Sequence, residues 1–173
     1  MGGGGEEVAQ HSVSYEPGCD AVECNNTRAF PRAIAAAAEA DAIVVLLGLH
    51  YSAAGNATQC DHDKPWITDD ACEGEGQDRQ FIELTGNSTK LVSALRKAAR
   101  PGTPLVGVLI HGGALALGVV ADELDAVVDA WYPGMLGARA IADVLFGKYN
   151  PAGRTAVTWY NSTAVLPQTI KQT

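Results

Sequence analysis

The residues best suited to chemistry form one acidic segment, Glu73-Gly74-Glu75-Gly76-Gln77-Asp78-Arg79. Two carboxylates stand two residues apart between glycines, directly before an Asp-Arg pair. A carboxyl group on a glycine-rich loop can be presented to a substrate, and burial or neighbouring charges can tune its acidity. The same composition is also typical of a solvated surface loop. The segment therefore offers two candidate carboxylates for acid/base chemistry.

The elements around this segment predict an α/β fold. Apolar runs over residues 42–49, 105–110 and 126–131 indicate strands, and the first run is continuous rather than alternating, as in a sheet covered on both faces. Helices are predicted over residues 28–40, from Ser88 as N-cap to the Pro101-Gly102 break, and over residues 138–146. Residues 13–15 form a possible first strand. The alternation predicts a three-layer sandwich, flavodoxin-like, with a mainly parallel sheet and helices on both faces.

Ligands of such sheets bind beyond the carboxyl ends of the strands. The acidic segment follows one strand end, through a long insertion at residues 50–80. His111-Gly112-Gly113 and Trp131-Tyr132 follow the next two. His111, Trp131 and Tyr132 are therefore candidates for ligand contact, although a histidine or an aromatic residue at a strand end more often serves packing. Trp66, in the polar insertion, is a further candidate.

Composition excludes several classes of protein. The chain of 173 residues has 47% hydrophobic and 18% charged residues, which is typical of one globular domain with a real core. Its net charge of -8, without a basic cluster, argues against nucleic acid as a partner. No apolar run reaches the roughly 18 residues that a membrane span requires.

Cysteines and sequons point to the secretory pathway. Two local disulfides, Cys19–Cys24 and Cys60–Cys72, would each close a short loop, although three pairings are possible. A zinc or redox site using Cys60, His62 and Cys72 is a rival with poor spacing, and the aspartates near Cys60 lack the spacing of a calcium loop, so we predict no metal. Four Asn-x-Ser/Thr sequons suggest a secreted glycoprotein: Asn25, Asn56, Asn87 and Asn161.

No signal peptide is predicted within the first residues of this sequence. Residues 1–12 are glycine-rich and polar, without an apolar h-region, and are predicted to be a flexible leader. The domain itself is predicted over residues 13–160, with residues 161–173 as a tail or as the start of a following segment. We therefore expect this chain to be part of a longer secreted or extracellular protein.

The order of several motifs carries a family resemblance. The motifs are the acidic segment, Trp131-Tyr132-Pro133-Gly134, residues 142–147 (ADVLFG) and residues 150–154 (NPAGR) continuing to residues 157–160 (VTWY). This order resembles the C-terminal α/β sandwich domain of family 3 glycoside hydrolases, the β-glucosidase and β-xylosidase family. The resemblance extends from about residue 13 to residue 160.

The resemblance implies a role for each candidate residue. Family members hydrolyse β-linked saccharides by the retaining route, which uses two carboxylates and no cofactor. Glu75 matches the acid/base position, and Glu73 is the second choice because xylosidase-like members have a Glu-x-Glu pair here. Asp78 and Arg79 are expected to form a structural ion pair. The four candidates for ligand contact would then meet the sugar.

The resemblance also identifies what this chain lacks. The nucleophilic Asp of the family lies on a (β/α)8 barrel, normally about 250 residues long, which this sequence does not encode. Two hypotheses follow. The chain is part of an exo-β-glycosidase whose barrel lies on the same precursor or on a companion chain, and alone it is inactive. Alternatively, it is a non-catalytic extracellular module that binds glycans or serves assembly.

Overall fold

A three-stranded parallel sheet organises the chain. The computed structural model describes residues 12–51, 71–73, 79 and 81–166. In chain order the strands are β1 (Ile43–Gly48), β2 (His50–Tyr51), β3 (Cys72–Glu73), β4 (Leu105–Ile110) and β5 (Ala126–Asp129). The α-helices are α1 (Phe30–Glu39), α2 (Ser88–Ala98) and α3 (Gly137–Leu145), with 3₁₀ helices at Gly118–Glu123 and Thr163–Val165.

The strand order brings several strand ends to one edge. The main sheet has the order β1-β4-β5, with every pair parallel. Gly48 pairs with Ile110, and Leu109 pairs with Asp129, so the three carboxyl ends coincide. A second parallel pair, β2 with β3, continues from this edge and places Glu73 opposite Tyr51.

Helices α1 and α2 cover one face of the sheet. Pro31, in the first turn, favours a helix start at Phe30, and α1 buries Phe30, Ala33 and Ala37 at helical spacing. Helix α2 buries an equivalent stripe that includes Leu91 and Leu95. These side chains form one core cluster with alternate residues of the strands, among them Ile43, Val45, Leu47, Leu105 and Leu109.

Arg96, near the end of α2, ties the helix to the amino ends of β4 and β5. Its guanidinium donates to the carbonyl oxygens of Glu123, at 2.8 Å, and Thr103, at 3.1 Å. It also lies 2.5 Å from the carboxylate of Asp125, which accepts from the amide of Leu105 at 2.7 Å. The hydrogen bonds from Leu105 and Arg96 lower the pKa of Asp125.

The α/β class and the parallel sheet are confirmed, and the sheet is small. The prediction that β1 is covered on both faces does not hold among the described residues. Val44 and Leu46 are 47% and 61% exposed, while their neighbours on the strand are buried. Helix α3 is also loosely packed, since only Gly137 of that helix is buried. Ile141, Val144 and Leu145, predicted to point inward, are half-buried.

Three local predictions need correction. Residues 13–15 are not a strand, and Val13 and Tyr15 are largely exposed, because the described residues offer them no partner strand. Ser88 is the first residue of α2, and Asn87 precedes it as N-cap. Strand β5 ends at Asp129, two residues before the predicted end, and Trp131 has a φ of 51°.

One predicted disulfide is present. Cys19 and Cys24 are bonded, with their Cα atoms 4.9 Å apart. Cys72 is also disulfide-bonded, whereas Cys60, the remaining cysteine of the sequence, lies outside the described residues.

Candidate active site at the carboxyl ends of the strands

A buried carboxylate lies at the edge where β3, β4 and β5 end. Glu73, the last residue of β3, is 5% exposed. Its Oε1 accepts a hydrogen bond from the amide of Gly112, in the turn after β4, and another from the hydroxyl of Tyr132, shortly after β5. Three separate strand ends therefore converge on one carboxylate.

The glycines of the turn are required by this close approach. A Cβ atom on Gly112 would lie 2.6 Å from the Tyr132 ring. A Cβ atom on Gly113 would lie 2.6 Å from Oε2 of Glu73. Both distances are shorter than any normal contact, so only glycine lets the backbone approach the carboxylate.

The two oxygens of Glu73 have different surroundings. Oε1 accepts two hydrogen bonds, whereas Oε2 is buried and has no hydrogen-bond partner among the residues that the structure describes. Burial, and then the hydrogen bond to Glu73, raise the pKa of Tyr132 well above its usual range. The Tyr132 hydroxyl therefore keeps its proton and acts as a donor.

His111, the first residue after β4, is enclosed beside this carboxylate. Its ring is 1% exposed, with Nδ1 2.6 Å from the carbonyl oxygen of Gly113 and Nε2 3.0 Å from Oδ1 of Asp129. The ring of Trp131 stacks on it at 5.2 Å between centroids, and Trp159 meets it edge-on at 5.6 Å.

Arg79 is the last residue of the acidic segment. It donates to the carbonyl oxygens of Ala114, at 3.0 Å, and Glu83, at 2.8 Å. Residues 74–78, between Glu73 and Arg79, lie outside the described residues. Both residues that flank them are thus held near the turn after β4.

Glu83 joins this region to the end of the described chain. Its carboxylate accepts from the amide of Thr163 at 2.7 Å and from the hydroxyl of Thr163 at 2.5 Å. Burial alone would raise the pKa of Glu83, but the hydrogen bonds from Thr163, helped by the charge of Arg79, outweigh burial and lower it.

Comparison with known sequences decides the family. The family model described as the glycosyl hydrolase family 3 C-terminal domain matches residues 1–173, the whole chain. The chain belongs to this family. The predicted resemblance is thereby confirmed, and the carboxylate described above lies in a glycosyl hydrolase family 3 C-terminal domain.

Curated relatives of this family 3 domain are named as xylosidases. The chain is 30% identical to a beta-xylosidase of Formosa agariphila over 95% of its own length and 20% of the relative. It is 34% identical to probable beta-D-xylosidase 7 of Arabidopsis thaliana over 84% of its own length and 16% of that protein. The chain is also 43% identical to a xylan 1,4-beta-xylosidase of Xylanibacter ruminicola, over 54% of its own length and 10% of the relative. The family 3 domain thus spans a fifth or less of these proteins.

The family 3 domain brings four of the predicted site residues together. Glu73 and Tyr132 are hydrogen-bonded, and His111 and Trp131 are stacked. Several other predicted residues lie outside the described residues: Trp66, Glu75, Asp78, Cys60 and Asn56. The roles predicted for these nine residues stay predictions, as does the ion pair of Asp78 with Arg79.

Two residues of the site were not predicted from the sequence. Asp129 is the only charged residue in the predicted strand over residues 126–131, and an acidic residue at the end of an apolar strand was an available signal. Trp159 lies 48 positions after His111 in the numbering, and nothing in its local sequence indicates that contact.

The remaining sequons differ in accessibility. Asn25 and Asn161 are exposed. The side chain of Asn87 is engaged, since it donates to the carbonyl oxygen of Cys24 at 2.9 Å and accepts from Lys90 at 2.8 Å.

Within the described ranges, no helix is both long and apolar enough to cross a membrane. The same ranges contain no group of three or more metal-binding side chains.

Proposed function

We propose that this domain supplies the acid/base carboxyl group of a retaining exo-β-glycosidase of the β-xylosidase type. One observation carries the proposal. The acidic segment begins at Glu73, which is anchored at the carboxyl ends of the strands, and ends at Arg79, which is anchored to the neighbouring backbone. A short glycine-containing segment whose two flanking residues are anchored is suited to presenting a carboxyl group at this edge.

Glu75 is the acid/base group in this proposal, with Glu73 as the second choice. The carboxylate of Glu73 is buried and accepts hydrogen bonds from Gly112 and Tyr132, which suits an anchor. Glu75 stands two residues further along, between two glycines. It would protonate the leaving-group oxygen and then activate water as a general base.

The nucleophile must come from elsewhere. A retaining glycosidase needs a second carboxyl group about 5–5.5 Å from the first. We propose that it belongs to a (β/α)8 barrel domain on the same precursor or on a companion chain, so this chain alone is inactive. The length of the relatives supports this arrangement, because the chain spans only 20% and 16% of the first two.

The proposed substrate is a β-linked xyloside or a related saccharide. The names of the relatives support this choice, since those of Formosa and Arabidopsis are called beta-xylosidases. We also propose that the protein is secreted and glycosylated. The disulfide Cys19–Cys24 and the exposed sequons at Asn25 and Asn161 are compatible with an oxidising compartment.

The test compares carboxyl variants in a protein that carries both this domain and a barrel. Removing a general acid slows hydrolysis of substrates with poor leaving groups far more than of activated aryl glycosides. We expect Glu75→Gln to lower kcat/KM on an alkyl or unactivated aryl β-xyloside by about 10²- to 10⁴-fold. Its activity on a dinitrophenyl β-xyloside should fall much less, and added azide should restore turnover by replacing the water that needs a base.

Asp122→Asn is the control, because this exposed carboxylate lies on the 3₁₀ helix at Gly118–Glu123. If Glu73→Gln shows the leaving-group pattern and Glu75→Gln does not, the acid/base role belongs to Glu73. If neither variant shows it, the proposed function is wrong, and the alternative of a non-catalytic glycan-binding or structural module takes its place.

A further inference from the structure

His111 bridges two strand ends. Its Nδ1 lies 2.6 Å from the carbonyl oxygen of Gly113, and its Nε2 lies 3.0 Å from Oδ1 of Asp129. A carbonyl oxygen only accepts hydrogen bonds, so Nδ1 carries a proton and donates. The ring therefore connects the end of β5 to the turn after β4.

Two indole rings hold this histidine in place. Trp131 stacks on the imidazole with an interplanar angle of 29°, and Trp159 meets it edge-on at 89°. The ring is 1% exposed. Packing on its face and edge restricts rotation of the ring, so the hydrogen bond to Gly113 keeps one direction.

Gly112, the residue before Gly113, holds the carboxylate of Glu73. The amide of Gly112 donates to Oε1 of Glu73, and a Cβ atom on Gly113 would lie 2.6 Å from Oε2 of the same side chain. Glycines have wide conformational freedom, so this turn needs an external constraint to keep one orientation. The hydrogen bond from His111 to Gly113 provides one such constraint, beside the hydrogen bond from Arg79 to Ala114.

We propose that His111 is a positioning residue that acts through Gly113. It sets the orientation of the turn and so directs the Gly112 amide at Glu73, which fixes the start of the acidic segment. Asp129 in turn fixes the His111 ring. Since both ring nitrogens are engaged and the ring is buried, His111 holds the site and does not contact the sugar.

The first test follows the Gly112 amide by NMR in the full chain and does not depend on activity. His111→Phe keeps an aromatic ring between the two tryptophans but removes both ring nitrogens and their hydrogen bonds. We expect the Gly112 amide proton to move upfield in His111→Phe, in the same direction as in Glu73→Gln, because its hydrogen bond weakens. Asp122→Asn should leave it unchanged. A Gly112 resonance at the wild-type position in folded His111→Phe would overturn the proposal.

Asp129→Asn covers the case in which His111→Phe does not fold. This variant retains the histidine and replaces the carboxylate that orients it. We expect hydrogen exchange at the Gly112 amide to become faster, on the order of 10-fold, because the charge-assisted hydrogen bond between Asp129 and His111 weakens. An exchange rate equal to that of Asp122→Asn would contradict the role given to Asp129 and His111.

The catalytic consequence rests on the proposed function and needs its own assay. In a protein with both domains, we expect His111→Phe to lower kcat on a poor leaving group by about 10- to 100-fold, because a carboxyl group is displaced. KM and the rate on a dinitrophenyl glycoside should change little.

Glu75→Gln, measured in parallel, separates the two possible failures. If both Glu75→Gln and Glu73→Gln behave as wild type, the proposed function fails while the Gly112 resonance still decides the role of His111. If Glu75→Gln shows the leaving-group pattern but His111→Phe slows both substrates equally, His111 is merely structural and the proposal is wrong.

Discussion

The Gly112 amide donates a hydrogen bond to the carboxylate of Glu73, a residue 39 positions earlier in the chain. This contact joins the end of β3 to the end of β4. Because Tyr132 donates to the same oxygen from beyond β5, the carboxylate also links a third strand end. Predictions about this site therefore concern the backbone of the turn as much as the side chains.

Replacing Gly113 with alanine should disturb this contact directly. The new Cβ would lie 2.6 Å from Oε2 of Glu73, so the carboxylate or the turn has to move. We expect Gly113→Ala to reduce the free energy of unfolding by about 1–3 kcal/mol, as for other overpacked sites. Gly153→Ala is the matched control, because a Cβ there would meet nothing within 4 Å. Chemical denaturation measures both, and equal stability of the two variants would contradict the close approach.

Removing the hydroxyl of Tyr132 should leave Oε1 of Glu73 with one donor among the described residues. We expect Tyr132→Phe to cost about 1–2 kcal/mol of stability, since a hydrogen bond to a charged group is lost. Tyr149→Phe serves as the control, because Tyr149 is 61% exposed. In the wild type, ultraviolet titration should show one tyrosine that ionises above the usual value of about 10, and Tyr132→Phe should remove that step.

Glu83 should make the stability of the folded domain depend on pH. Its folded-state pKa is lowered from the ordinary value of 4.5, so its stabilisation is complete above that pH and is lost as the pH falls below it. We expect Glu83→Gln to lower the Tm at neutral pH and to flatten the decline of Tm below about pH 4.5. The exposed Glu39→Gln variant on α1 should keep the wild-type slope. Parallel curves of Tm against pH for the wild type, Glu83→Gln and Glu39→Gln would refute this role of Glu83.

The sequons should be glycosylated to different extents if the protein passes through the secretory pathway. Asn25 and Asn161 are exposed, whereas the Asn87 amide donates to the carbonyl oxygen of Cys24. We expect glycopeptide mapping of protein secreted from a eukaryotic host to find glycans at Asn25 and Asn161 and little at Asn87. Full occupancy at Asn87 would show that its hydrogen bond does not protect it.

The strands of the main sheet were predictable from local sequence. Residues 105–110 form β4 as predicted, because a buried apolar run ends at a histidine and two glycines. β1 and the three helices differ from their predicted ranges by only a few residues. Residues 13–15 show the limit of such reasoning, since a short run with strand-like residues forms a strand only where a partner offers its backbone.

The strand-end rule also predicted part of the site. It brought the acidic segment, His111 and Tyr132 to one edge, and the described part of that segment lies there. The rule does not predict which atoms form hydrogen bonds, because hydrogen-bond partners depend on strand register and on side-chain direction. Asp129 was missed for this reason, since its contact with His111 requires β5 to lie beside β4 at one particular register.

The sequence by itself determined the α/β class, the family and the residues able to do chemistry, because these depend on local periodicity and on short motifs. Only the tertiary structure decided that Glu73 is buried under Gly112 and Tyr132 and that His111 is enclosed by Trp131 and Trp159. These contacts join residues that are distant in the chain. Their geometry follows from how the strands and their connections pack together, which no local pattern encodes.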